Sequence, residues 1–142
     1  MNSDAVIIKY NANRFRIIAM QLYKTYKNHP KEFMGPQFFV NGAFAVELYL
    51  KAILSFTVGE YPKEHELHKL YELIPEDTRH ALTDLYPEFR DFVKNESKAF
   101  ENWRYYFETT YMCGHVVQMK KTLDVLHEFC KCISKKAGDK NE

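Results

Sequence analysis

An arginine set among aromatic residues is the first candidate for chemistry in this sequence. Residues 101–108 read ENWRYYFE, with Arg104 among four aromatic side chains. A guanidinium can bind an anion such as phosphate, and Tyr105 could stack on a nucleotide base. On a helix, Glu101 and Glu108 both lie within reach of Arg104, at separations of three and four residues. Arg104 is therefore either an anion ligand or the centre of a surface ion network.

A second group of polar residues lies in the most apolar part of the chain. Glu47 and Lys51 have the four-residue spacing at which Glu followed by Lys pairs on a helix. If their polar arc faces a crevice, Asn41, Glu47 and Lys51 could orient a small polar ligand, with His65 nearby. Otherwise the polar arc contacts neighbouring polar groups or solvent. His65 then caps the start of the next helix or packs against its neighbours. A buried Glu47 would need Lys51 or Arg104 as its partner.

The remaining histidines and cysteines give no recognisable metal pattern. Cys113 and His115 are two residues apart, and His127 and Cys130 are three apart. These spacings do not match a closed zinc site, and Cys130 falls on an apolar stripe. The sequence also lacks a glycine-rich phosphate loop and a nucleophile elbow. We therefore predict neither a metal site nor a cofactor.

Apolar residues recur at spacings of three and four through most of the chain, which is the pattern of amphipathic helices. No stretch alternates as a half-buried strand would. The helix that begins near Pro36 and stops before Gly59 is apolar around most of its circumference, so it should be central. The sequence predicts an all-α, up-and-down bundle of four main helices with short helices in the middle. The main helices are expected at about 4–27, 36–56, 96–111 and after Gly114, and the short ones within 65–74 and 75–89.

The length of 142 residues suits one domain, predicted over residues 1–137 with a flexible polar tail at 138–142. The first residues lack a long apolar run, which predicts a cytoplasmic protein with no signal peptide or membrane segment. From residue 59 to 108, seven Lys and Arg stand against twelve Asp and Glu, a net −5, whereas the flanks carry +6. The basic residues of the first and last helices could form one face for RNA or an acidic partner, or could simply be solvated.

Three segments in this order resemble the HEPN superfamily of small α-helical bundle domains. They are NGAFAVELYLKAIL at 41–54, HELHKL at 65–70 and WRYYFE at 103–108. The resemblance implies an up-and-down bundle that forms homodimers. It also implies one of several roles: ribonuclease in toxin–antitoxin or other defence systems, nucleotide binding, or assembly with a partner protein such as a nucleotidyltransferase.

The ribonuclease members of that superfamily carry an arginine followed, after four to six residues, by a histidine. Here the positions after Arg104 hold Thr109, Thr110 and Tyr111, and no other arginine has a histidine at that spacing. The expected function is therefore a non-catalytic nucleotide- or RNA-associated module in a stress or defence setting. One alternative is a metal-independent endoribonuclease with a rearranged site that uses Arg104 with Tyr111 or His115. Another is a structural homodimerisation module.

Overall fold

The computed structural model describes residues 3–96 and 113–138, and all regular structure within them is helical. This confirms the predicted all-α bundle with short helices in its middle. The predicted helix over 96–111 falls outside the described residues, apart from Glu96, which caps the end of a short helix. The long helices are α1 (Ser3–Asn28), α2 (Gly35–Thr57) and α6 (Cys113–Lys136), and the short ones are α3 (Leu67–Leu73), α4 (Glu76–Leu85) and α5 (Phe89–Asn95).

The three long helices pack against one another, with α1 antiparallel to the other two. Lys9 near the start of α1 lies 3.5 Å from Ser134 near the end of α6, measured from Nζ to Oγ. Gly42 and Met119, each in the first half of its helix, bring α2 and α6 together side by side. A Cβ added to Gly42 would lie 2.9 Å from Met119 Sδ, so the two parallel helices approach very closely there.

The apolar stripe predicted on the first helix is confirmed, because its members face the core. Ala5, Ala12 and Ala19 are fully buried, and Phe15 and Leu22 pack against the core from its edge. The basic residues of this helix do not all lie on an open face. Lys9 is only 3% exposed, since the neighbouring helix α6 covers it.

Helix α2 is the central helix, as its composition predicts. It is buried around nearly all of its circumference, including Phe38, Tyr49 and Ile53, none of which has any exposed surface. Its 23 residues contain an 18-residue stretch with a mean hydropathy of 1.4, which also satisfies the length and composition of a membrane span. However, 78% of that stretch is buried inside the protein, which is the behaviour of a core helix.

Glycine ends α2 where the sequence predicts it but does not precede α6. Gly59 has a φ of +96°, and the backbone N–H groups of Val58 and Gly59 both donate to the Leu54 carbonyl oxygen. That geometry closes a helix and favours glycine. Gly114, predicted to separate two helices, instead lies in the first turn of α6, which begins at Cys113. A glycine costs a helix only about 1 kcal/mol, less than the packing of the α6 stripe provides.

The short helices hold the segment after α2 against the core. Tyr71 of α3 packs edge-to-face on Phe89 of α5, with ring centroids 5.5 Å apart. Leu67 and Leu70 of α3 are also buried, and α3 lies against the end of α2. The chain from residue 58 to 66 is therefore fixed at both ends and passes over one side of α2.

Candidate functional site

Three of the residues singled out from the sequence meet on one side of α2. Glu47 Oε2 lies 3.1 Å from Lys51 Nζ and 3.2 Å from His65 Nδ1. Glu47 and Lys51 come from consecutive turns of α2, whereas His65 is brought from the segment after it. Both contacts go to the same carboxylate oxygen, so the Lys51 ammonium group and the His65 imidazole share one acceptor.

A local hydrogen-bond pattern positions His65 over Glu47. Glu64 Oε2 accepts hydrogen bonds from the backbone N–H groups of His65 and Glu66, at 3.0 and 3.3 Å. Lys69, one turn into α3, pairs with Glu66 at 3.1 Å. The two hydrogen bonds to Glu64 bend the chain just before α3 begins and direct His65 back towards α2.

The carboxylate of Glu47 is buried, and one of its oxygens has no protein partner within the described part of the chain. The Glu47 and Lys51 side chains are only 7% and 9% exposed, whereas His65 is 76% exposed. Glu47 Oε1 accepts no hydrogen bond from the described residues. A buried acceptor left unpaired costs about 1–3 kcal/mol.

An apolar cavity of about 380 Å³ lies further along the same side of α2. Its lining residues are Leu54, Val58, Glu60, Tyr61, Pro62 and Leu73. Glu47, Lys51, Leu54 and Val58 follow one another at spacings of four, three and four, so they share a face of the helix. Tyr61 links the two features, because Lys51 Nζ lies 5.9 Å from the centre of its ring. A cavity of this size is within the range of small-molecule sites.

The other predicted site residues do not join this cluster. The Asn41 side chain donates to the Gln37 carbonyl oxygen at 2.8 Å, an ordinary contact within α2. His115 lies at the start of α6, with its Nδ1 3.5 Å from Glu96 Oε1. Arg104, Tyr105 and Tyr111 lie outside the described residues.

A second polar cluster, which the sequence does not predict, joins the three long helices. The Tyr49 hydroxyl on α2 donates to Asn13 Oδ1 on α1 at 2.6 Å. His127 Nδ1 on α6 lies 3.2 Å from the same Asn13 oxygen and 3.4 Å from the Tyr49 oxygen. An amide oxygen can only accept, so His127 Nδ1 carries the proton in this contact.

Burial sets the protonation of this cluster. Desolvation raises the pKa of Tyr49 well above its usual value, so the phenol stays protonated and keeps its donor. Desolvation also lowers the pKa of His127 below 6.5, assisted by the charge of Arg16. Burial alone would raise the pKa of Asp124, but hydrogen bonds from Lys120 and Arg16 outweigh it and hold that pKa low. His127 is therefore neutral at pH 7 beside an ionised Asp124.

The sequence contained a signal for this second cluster that periodicity alone does not interpret. Lys9, Asn13 and Arg16 follow each other at spacings of four and three, directly beside the apolar stripe of α1. His127 and Lys131 are likewise four residues apart on α6. Only the packing of α1 on α6 shows that the two polar rows face each other. Within the described residues, no three His, Cys, Asp or Glu side chains gather as metal ligands would.

Comparison with known families gives one match. The family model described as the HEPN domain matches residues 41–136, about two thirds of the chain. This stretch includes most of α2 with Glu47 and Lys51, the segment with His65, and α6. Searches of curated proteins and of solved structures give no match.

Removal of Lys51 should destabilise the protein because it leaves the buried Glu47 carboxylate without its cation. For Lys51→Met we expect the free energy of unfolding, measured by urea denaturation at pH 7, to fall by about 3 kcal/mol. Glu47→Gln in the same chain should restore most of that loss. Lys69→Met, which removes an exposed lysine from a comparable pair, is the control and should leave the midpoint unchanged. Equal losses in the single and double variants would contradict a coupled buried pair.

His127 should make the protein less stable below neutral pH. Its pKa is lower in the folded state than in the unfolded state, so the unfolded chain binds more protons as the pH falls through 6.5. Its contribution to stability is therefore full above pH 6.5 and declines below it. Urea denaturation across this pH range should show that the free energy of unfolding depends less steeply on pH in His127→Gln than in the natural chain. The same slope in both proteins would show that His127 titrates normally in the folded state.

Proposed function

The chain belongs to the HEPN family, and we propose that it is a binding module of that family, which associates with a nucleotide or RNA and does not cleave it. The setting implied by the family is stress or defence, including toxin–antitoxin systems. A cytoplasmic location and a partner protein such as a nucleotidyltransferase belong to the same proposal.

The sequence supports the non-catalytic part of the proposal. None of the five arginines is followed by a histidine after four to six residues, so the usual pair for stabilising phosphate charge and transferring a proton is missing. His65, which does contact a carboxylate, is 76% exposed and pairs with a lysine-bound Glu47. A glutamate already engaged by Lys51 is a weak partner for activating a histidine as a base.

The unpaired Glu47 Oε1 is the observation that carries the binding part. An exocyclic amino group of a base donates to a carboxylate, and the flat ring of a base stacks on aromatic side chains. Glu47 supplies the acceptor, Tyr61 supplies an aromatic ring, and the cavity beside Tyr61 has room for a base.

Binding should depend on the Glu47 carboxylate. Fluorescently labelled nucleotides and short single-stranded RNAs, titrated with the protein and followed by fluorescence anisotropy, should bind about tenfold more weakly to Glu47→Gln, since a lost charged acceptor costs at least about 1.4 kcal/mol. Glu76→Gln is the matched control, because Glu76 is exposed and lies on α4, away from the cluster. Its affinity should equal that of the natural chain.

The same samples test the absence of catalysis. Incubation of RNA with the protein should leave the RNA intact. Cleavage that disappears in Arg104→Ala would overturn the non-catalytic part and favour the alternative of an endoribonuclease built around Arg104. Equal affinities of Glu47→Gln and Glu76→Gln for every nucleotide and RNA would overturn the binding part.

A second candidate function is homodimerisation, which an exposed apolar strip on α1 favours. Ile7 and Ile18 are 58% and 43% exposed and lie on the same side of α1, three turns apart, with Ile17 also 52% exposed. Val117 on α6 is exposed to a similar degree. Large aliphatic side chains that stay in water along one helix are typical of a surface that pairs with another protein.

The dimer should depend on this strip. Light scattering of the natural chain should give a mass that rises from monomer to dimer with concentration, and Ile7→Lys with Ile18→Lys should shift the chain to monomer. Leu85→Lys, at an equally exposed apolar residue of α4, should leave the dimer intact. A natural chain that stays monomeric at every concentration would contradict the dimer.

A further inference from the structure

A small polar cavity lies between α1 and α6, on the opposite side of α2 from the Glu47 cluster. Its volume is about 150 Å³, and it is lined by Lys9, Asn13, His127 and Lys131. Lys9 and Asn13 occupy successive turns of α1, and His127 and Lys131 occupy successive turns of α6. Each helix therefore presents two polar side chains to the same opening.

The side chains that line the cavity carry mainly hydrogen-bond donors. Asn13 Oδ1 already accepts from Tyr49 and contacts His127 Nδ1, so the remaining polar group of Asn13 is its amide nitrogen with two N–H bonds. With Nδ1 carrying the proton in that contact, the other ring nitrogen of His127 becomes a donor once the ring is protonated. Lys9 and Lys131 each contribute an ammonium group, which can only donate.

The charges around the cavity favour an anion. No carboxylate lies among the lining residues that the structure describes. Asp124, one turn before His127, is bound by Arg16 at 2.7 Å and by Lys120 at 2.5 Å, so its charge is compensated. The negative charge of Glu128, which is exposed on α6, raises the pKa of His127, whereas the positive charges of Arg16 and Lys131 lower it.

Burial makes the two lysines more effective than lysines on an open surface. Lys9 is 3% exposed and contacts Ser134 at 3.5 Å, and Lys131 is half-buried. An ammonium group with little access to water is screened less by salt, so it attracts an anion more strongly. The centre of the Tyr10 ring lies 5.6 Å from the Lys9 nitrogen.

The volume decides which anion fits. Pockets for drug-sized ligands measure roughly 300–1,000 Å³, so about 150 Å³ is too small for a whole nucleotide. We propose that this cavity binds one tetrahedral oxyanion with two negative charges, a phosphate group, held by Lys9, Asn13 and Lys131 and faced by His127. The phosphate could be inorganic or the terminal phosphate of a nucleotide, whose base would then extend into solvent.

Sulfate is the first probe, because it stays a dianion across the pH range in which histidine titrates. Proton NMR of the His127 ring, identified by its absence in His127→Gln, should show a pKa that rises when sulfate replaces chloride at constant ionic strength. The bound dianion stabilises the imidazolium, which causes the rise. No rise in the natural chain would overturn the proposal.

A matched pair of variants locates the anion. Lys131→Met should bind sulfate at least about tenfold more weakly, as judged by the sulfate dependence of both the His127 pKa and the melting temperature. Lys136→Met removes the same charge from an exposed position on the same helix and should bind like the natural chain. Equal weakening in the two variants would reduce the effect to general surface charge and contradict the site.

A third set of ligands tests whether the cavity recognises the phosphate group alone. Inorganic phosphate and AMP should both displace sulfate, whereas adenosine should not, because recognition is confined to the phosphate group. Displacement by adenosine would contradict the assignment. Glu47→Gln should leave sulfate binding unchanged, so the phosphate cavity and the Glu47 site can fail independently of each other.

Discussion

The burial of α2 on nearly all sides is the constraint on which the rest of the structure depends. A helix buried on nearly all sides must satisfy its buried polar side chains within the protein, because an unpaired polar group in the interior is costly. Glu47 and Tyr49 point about 200° apart on this helix, so they meet different neighbours. Glu47 is approached by the segment after α2, and Tyr49 is approached by α1 and α6.

These two requirements produce sites of opposite character. Around Glu47 the protein provides an acceptor in excess, since Lys51 and His65 share one oxygen and the other has no partner among the described residues. Around Tyr49 the acceptors are used internally, and the lysines and amide of the adjoining cavity provide donors. A ligand with N–H groups suits the first place, and an oxyanion suits the second.

Sequence reasoning succeeded where a pattern has one physical interpretation. The stripe of alanines on α1 and the apolar circumference of α2 each predict a buried surface, and both surfaces are buried. Gly59 ends α2 because a left-handed backbone position requires it. The prediction that Gly114 separates two helices was wrong, since glycine is permitted inside a helix when tertiary packing stabilises the turns that follow. The residue type of Lys9 suggests an exposed side chain, although α6 covers it.

By itself the sequence determined the helical class, the central place of α2 and the pairing of Glu47 with Lys51, because these follow from spacing along one helix. The family was indicated by the resemblance of three separate segments. The tertiary structure alone decided that His65 reaches Glu47, and that Asn13, Tyr49 and His127 meet. Those contacts join residues 18 to 114 positions apart in the chain. Their formation depends on which helix faces meet when the bundle packs, and periodicity within a single helix carries no information about its neighbour.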